Sequence, residues 1–276
     1  MSSDLVPITQ AWSVQDRADL RAAVQSLEQV SLAARLTNML GKQVNLATSL
    51  LPAPVRGAIG RASTLALRTA LRVAMRSLDA RPRPASRRFH KALATLSGAA
   101  GGAFGLPALP LELPASTPVI LRSIADIARA EGEDLHEPEV LLACLEVFAL
   151  GGRSDSDDQL ESGYFAARAM LAHSVSEASR FLAQRGIADE AAPALVRLIA
   201  EFASRYGIVV SQKAVAQATP VLGALGGAAI NYAFTDHFQS VAHGHFTVRR
   251  LERLHGEASV HAEYEQLRTE LLGKPA

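Results

Sequence analysis

Ile230-Asn-Tyr-Ala-Phe-Thr-Asp-His-Phe-Gln-Ser-Val-Ala-His-Gly-His-Phe-Thr-Val-Arg-Arg-Leu-Glu-Arg253 is the stretch whose reading decides the fold. An apolar, glycine-rich run feeds into it from Thr219-Pro-Val-Leu-Gly-Ala-Leu-Gly-Gly227, it carries His237, His243 and His245, and it ends in Arg249, Arg250 and Arg253. Proline suits the first turn of a helix, and no residue after Pro220 breaks the run, so helices are expected near 220–235 and 236–255. Further helices are expected near 210–218 before them and 257–272 after them.

Working outward, composition agrees. The 276 residues are 49% hydrophobic, 20% charged and 5% aromatic, enough for a sizeable core. Alanine and leucine dominate, which favours helices packed through small side chains. No long alternation of apolar and polar residues occurs, and no Asn-Gly or Asp-Gly turn joins two such runs, so a sheet has no support. The expected fold is all-α: a compact multi-helix bundle with two glycine-rich apolar helical segments.

Local signals divide the chain. Ser13 caps a first helix expected from Ser13 to Leu40, a short helix spans about 42–51, and Pro54 opens a longer one to about Leu78. Arg81-Pro-Arg-Pro84 breaks the chain before a helix from about Ser86. Glycines at 98, 101, 102 and 105 and prolines at 107, 110 and 114 mark a turn, with a helix from about Ser116 to Gly132. Pro138 starts the next, closed by Gly151-Gly152. Helices at about 159–184 and from Asp189 to Arg205, ended by Gly207, complete the pass. Pro54-Val-Arg-Gly-Ala-Ile-Gly60 echoes Pro220-Val-Leu-Gly-Ala-Leu-Gly226, compatible with a duplicated helical unit or with two helices that each need a close-packing start.

Ser211-Gln212-Lys213, the glycine run and the 230–253 stretch together resemble the EcsC family of bacterial proteins. Gly101-Gly-Ala-Phe-Gly-Leu-Pro107, Arg122-Ser-Ile-Ala-Asp-Ile-Ala-Arg129 and Leu145-Glu-Val-Phe-Ala-Leu-Gly-Gly152 extend the resemblance from roughly residue 30 to roughly residue 270. It implies a bacterial protein sometimes encoded beside an ABC transporter, with no agreed biochemical activity. On this reading residues 1–29 form an N-terminal helical extension and 30–272 the EcsC-like helical domain.

Charge is unevenly placed. Between residues 51 and 91, Arg56, Arg61, Arg68, Arg72, Arg76, Arg81, Arg83, Arg87, Arg88 and Lys91 face only Asp79. Taken from totals of 28 basic and 27 acidic residues, this leaves 18 against 26, or −8, for the rest of a chain of net charge +1. Arg61, Arg68, Arg72 and Arg76 fall in one sector of a helix at about 100° per residue. Leu65, Ala66, Leu67, Ala70, Leu71, Val73 and Ala74 occupy much of the remainder. That is either an interfacial helix with arginines at lipid phosphates or the solvated face of a bundle helix. Nucleic acid is not the expected partner, since the stripe lacks aromatic residues for stacking.

Glycine pairs four apart, Gly98/Gly102, Gly101/Gly105 and Gly223/Gly227, let helix backbones approach closely. Their apolar runs, about 14 residues, are too short to span a bilayer. Close packing in a core and shallow insertion both remain open. The single Cys144 fits a reducing compartment, and Met1-Ser-Ser-Asp-Leu5 carries no export signal, so the expected location is the cytoplasm, peripheral at the inner membrane.

Candidate ligand-pocket residues are Arg122, Asp126, Glu146, Asn231 and Asp236. Arg122 and Asp126 lie four apart on one helix face, and a buried Glu146 needs a partner, for which Arg122 is the type-matched choice. A structural ion pair and a pocket for a polar headgroup are the two readings. His237, His243 and His245 lack the four-residue spacing of a helical zinc pair, which leaves them weak metal candidates, and no cofactor is expected. No Gly-x-Ser-x-Gly or His-Glu-x-x-His occurs. The leading expectation is therefore a non-enzymatic helical protein at an anionic membrane surface or a transporter subunit. A metal-dependent hydrolase centred on Arg122, Asp126, Glu146, Asp236 and His243, and a lipid carrier, are the alternatives.

Overall fold

The computed structural model describes residues 11–29, 32–40, 44–77, 109–152, 163–185, 192–218 and 223–273. The basic segment beyond Ser77, the helix expected from Ser86, Gly98, Gly102, Gly105 and the polar loop 153–158 lie outside them. The described residues contain no strand. Their helices are α1 (Val14–Val24), α2 (Leu32–Leu40), α3 (Val44–Ser49), α4 (Ala53–Ser77), α5 (Leu109–Ala130), α6 (Pro138–Leu150), α7 (Gly163–Arg185), α8 (Pro193–Gln217), α9 (Gly223–His255) and α10 (Glu257–Leu272).

Helix α6 is the axis. Every residue from Val140 to Leu150 is buried, as befits a helix apolar on all sides. It packs against α5, α7, α8 and α9. Pro138 occupies its first turn, and Gly151 closes it with a backbone N–H bonded to the Val147 carbonyl at 3.0 Å. Gly152 is sterically required: a Cβ there would lie 2.1 Å from the Arg205 carbonyl oxygen on α8. Phe148, Tyr206, Phe234 and Phe238, from α6, α8 and α9, meet with ring centroids 5.0–6.1 Å apart, mostly edge-on or tilted. Removing one such buried ring costs about 3–5 kcal/mol.

Four boundaries differ from the sequence expectation, each for a physical reason. The first helix is interrupted by a π-turn at Gln25–Gln29, which lets adjacent Leu27 and Glu28 both be buried. Ser13 caps α1 as expected, its Oγ accepting the Asp16 N–H at 3.0 Å. Helix α5 begins at Leu109, not Ser116, and carries Pro114 and Pro118 inside it. Spaced by four with Pro110, these residues leave the Pro110 and Pro114 carbonyls without helical donors on one side that stays partly open to solvent.

Helix α8 runs through Gly207, whose missing side chain faces the Ser63 hydroxyl of α4 across 3.9 Å from the Cβ position. Helix α9 is continuous across Asp236, with 33 residues, about 50 Å at 1.5 Å per residue. Gly223 opens it and Gly227 is buried in its second turn. Gly244 is a close contact that glycine spacing did not reveal, since a Cβ there would lie 2.6 Å from Leu27 Cγ. Gly256, at φ +82°, turns the chain from α9 into α10, a conformation that L side chains resist.

The N-terminal helix, set apart by sequence as an extension, packs on α9 and α10. Trp12 stacks on His255 with centroids 4.4 Å apart and donates its indole N–H to Ser259 Oγ at 3.1 Å.

Candidate functional site

The basic stripe divides into an outer and an inner side. Ile59, Ala62, Ala66, Leu67, Ala70, Leu71, Ala74 and Met75 are buried where α4 packs on α5 and α8. The apolar face that an in-plane interfacial helix would push into lipid is therefore already used by the core. On the outer side Arg61 and Arg68 are exposed; Arg56, near the start of the helix and roughly 120–140° around its axis from them at about 100° per residue, is exposed too, and none of the three forms an ion pair among the described residues. Arg72 is half-buried, and the Arg76 side chain lies outside the described residues. Leu65 stands 52% exposed in the same sector, between Arg61 and Arg68. Leu65 is thus flanked by two exposed guanidinium groups that form no ion pair among the described residues.

The candidate pocket residues do not converge. Arg122 is exposed on α5 and borders a small apolar hollow shared with Val73, Leu121 and Cys144. Asp126 accepts a hydrogen bond from Arg129 at 3.1 Å. Asn231 is buried on α9, its amide nitrogen without a hydrogen-bond partner among the described residues. Asp236 pairs with Arg35 of α2. Each of these residues thus has its own surroundings among the described residues.

The histidines separate for the same reason. On one unbroken helix, residues six and eight apart point in different directions at about 100° per residue. His237 Nε2 donates to the Gly151 carbonyl at 3.0 Å. His243 borders a hollow with Asp19, Glu131 and Arg250. His245 Nδ1 lies 2.9 Å from the Tyr164 hydroxyl, and burial, reinforced by Arg168 and Arg249, keeps its ring neutral. Among the described residues no three His, Cys, Asp or Glu side chains gather to hold a metal ion.

Glu146 has different company from that expected. It is 5% exposed on α6 and faces a hollow of about 420 Å³ between α6, α7 and α9. The guanidinium groups there are Arg168, Arg249 and, at the exposed rim, Arg180, not Arg122; the first two are engaged by carboxylates outside the hollow. Each is held from behind: Arg168 by Glu252, in a bidentate pair at 2.7 and 2.9 Å, and Arg249 by Glu133, at 2.8 and 3.4 Å. Glu133 also accepts from Arg253 at 2.5 Å. Burial tends to raise the Glu133 pKa, but these two arginines outweigh it and hold the carboxyl below its ordinary value. Glu146 itself makes no hydrogen bond among the described residues. Burial pushes its carboxyl up to about 7, with Arg168 and Arg249 opposing and Glu139 adding to the rise.

Sequence reading missed Arg168, although an arginine inside Phe165-Ala-Ala-Arg-Ala-Met-Leu171 is a charge in an apolar run and hence a signal. It also missed the role of Lys213. That ammonium is 1% exposed, 2.5 Å from Glu112 Oε1 and 4.5 Å from the centre of the Phe234 ring. Gln217 donates to the other Glu112 oxygen at 3.4 Å. Burial lowers the Lys213 pKa and Glu112 works against that shift. The pair ties α5 to α8 beside α9, and Tyr206 bonds Thr117 at 3.0 Å further along the same contact.

No helix of the described residues is long and apolar enough to cross a membrane. None of the curated proteins and none of the solved structures matches the chain. The sequence pattern of the EcsC protein family does match, over residues 15–251. That match opens inside α1, takes in the Glu146 hollow, the Lys213 pair and the α4 face, and stops at Leu251 near the end of α9. Covering most of the 276 residues, it makes this chain a member of the EcsC protein family.

Proposed function

We propose that this EcsC-family chain is a non-enzymatic binding protein of the cytoplasm that docks peripherally on the anionic inner face of the membrane, at or beside an ABC-type transporter. The observation that supports this reading is the outer side of α4, where Arg61 and Arg68 are exposed beside the exposed Leu65 and, like the exposed Arg56 at the start of the helix, form no ion pair among the described residues. Because the apolar side of α4 is committed to α5 and α8, docking is adsorption rather than insertion, and Coulomb attraction supplies most of it. Each arginine near an anionic surface contributes about 1 kcal/mol, and the attraction fades within a Debye length of about 8–10 Å.

The test is vesicle flotation with phosphatidylglycerol-containing and purely zwitterionic vesicles at low and high salt. Wild-type protein is expected to float with anionic vesicles at low salt only, and the R56Q/R61Q/R68Q variant to lose roughly 100-fold in partitioning, as about 3 kcal/mol requires. Equal flotation of variant and wild type would remove α4 from the reading. Binding to transporter-containing membranes that ignores lipid charge would instead place the contact on protein.

A further inference from the structure

We infer that the hollow between α6, α7 and α9 is a binding site for a small oxyanion, a carboxylate or a phosphate or sulfate ester, recognised by Arg168, Arg180 and Arg249 with Glu146 as a fourth, proton-carrying donor. This site is separate from the α4 face, and the inference does not rest on membrane docking.

The lining carries the argument. Three arginines and the hydroxyl-bearing Ser176 and Ser179 line a space of about 420 Å³, within the size range of small-molecule sites. Acceptors are few: Glu139 stands at the mouth with a side chain 65% exposed, and Glu146 is the buried one. A cation would meet three positive charges there; an oxyanion meets a surplus of N–H and O–H groups.

The arginines are positioned before any ligand arrives. Arg168 uses Nη1 and Nη2 on Glu252, so its fork is fixed, while its guanidinium lies 6.0 Å from the Tyr164 ring centre. Arg249 uses Nε and Nη2 on Glu133, leaving Nη1 turned toward Glu139 across 3.7 Å. Arg180 uses only Nε, on the Ser176 carbonyl at 3.4 Å, and is otherwise exposed at the rim. Such held forks lose little freedom on meeting a planar or tetrahedral oxyanion.

Glu146 explains why the site belongs to anions rather than to a structural ion pair. An unbonded buried carboxylate beside two guanidinium groups would form a salt bridge if the packing allowed it; here each guanidinium is already engaged by another carboxylate. Its carboxyl takes up a proton near neutrality, and the protonated acid donates to an incoming oxyanion. The other groups facing it do not compete for that proton. On α7 burial raises the Tyr164 pKa, and on α9 His245 is held neutral, while Arg168 and Arg249 keep their charge. Glu139 shares the α6 side at the mouth.

Anion binding and protonation of Glu146 therefore favour each other. With a midpoint of about 7, the protonated fraction falls from about nine-tenths at pH 6 to about one-tenth at pH 8, so affinity for an anion of fixed charge falls about tenfold.

Sodium sulfate is the probe, because its charge is constant over that range, with sodium chloride at matched ionic strength as the control. In protein labelled with ¹³C at the glutamate side-chain carboxyl, the Glu146 resonance is assigned by its absence in E146Q. Expected is a saturable sulfate-dependent shift, about tenfold tighter at pH 6 than at pH 8 and at least fivefold weaker in R180Q, whose exposed side chain leaves the fold intact. E146Q, followed by amide shifts, should bind sulfate with no such pH dependence. Dihexanoyl phosphatidate against inorganic phosphate, both at pH 6, then tells a lipid headgroup from a free anion. Absence of a saturable shift beyond the chloride control, or equal affinity in R180Q and wild type, overturns the site; equal affinity at pH 6 and 8 overturns the role of Glu146.

Discussion

The outer side of α4 and the C-terminal half of α9 are both rich in arginine, yet they are opposite kinds of surface. On α9, Arg249 and Arg253 share Glu133, and Arg250 reaches Asp19 at 2.7 Å and Glu131 at 2.8 Å. On α4, Arg56, Arg61 and Arg68 have no carboxylate in reach among the described residues. The difference lies in what the tertiary fold brings opposite each helix. The chain outside residues 51–91 carries 26 acidic residues, and of those among the described residues the fold lays several against α9 and none in an ion pair with Arg56, Arg61 or Arg68. Arginine in this protein is a bolt where carboxylates meet it and stands out in solvent where, among the described residues, they do not.

The strongest way to break that comparison is to remove one carboxylate. Glu133, its side chain 5% exposed, holds two arginines, so E133Q should cost about 3–5 kcal/mol in urea unfolding by leaving the partly buried Arg249 uncompensated. A cost below 1 kcal/mol would mean that the α9 arginines are no more structural than those of α4.

Next in size is Glu146, where the sign runs the other way. Its pKa rises from 4.5 unfolded to about 7 folded, so the folded state holds a proton that the unfolded state releases between those values. Stability is therefore full below pH 4.5 and declines by about 3 kcal/mol as pH rises through 7. E146Q should be more stable than wild type by about that amount at pH 8 and little different at pH 4, measured as the pH dependence of the urea midpoint. A variant less stable than wild type at pH 8 would show that the carboxylate is a paired structural ion after all.

Smallest is the effect of R61Q or R68Q on folding, expected within about 0.5 kcal/mol because the side chains are exposed and form no ion pair among the described residues. Unfolding and flotation measured on the same variants sharpen the contrast: E133Q should lose stability and keep its vesicle binding, while the α4 variants do the reverse.

What sequence could reveal follows from range. Ser13, Pro138, Gly151 and Gly256 act on their immediate neighbours, and the helix starts and stops they mark are where they were expected. Gly207 and Asp236 carry the same local signals, but tertiary contacts override them: α4 packs against the bare face at Gly207, and α9 is held straight by its packing on α1, α5 and α6. For the site, Glu146 was visible as a charge in an apolar helix. Its surroundings were not, because Arg168 and Arg249 arrive on other helices and nothing in their spacing marks the meeting. Arg122 was the natural guess only because it lies nearby in sequence.

Trp12 reaches Ser259 across 247 residues of chain, Arg21 reaches Glu270, and Glu28 accepts from the Tyr264 hydroxyl at 2.9 Å. In the cell this contact has a timetable. At roughly 5–20 residues per second, a ribosome needs on the order of 12–50 s to make the span from Trp12 to Ser259. During that interval α1 exists but its seat on α9 and α10 does not, and Leu20, Ala23 and Val24, buried in the finished protein, have nothing to cover them. Helix α1, whose Arg21 is made 249 residues before its partner Glu270 on α10, is thus placed long after it is made, with its apolar face waiting on the rest of the chain.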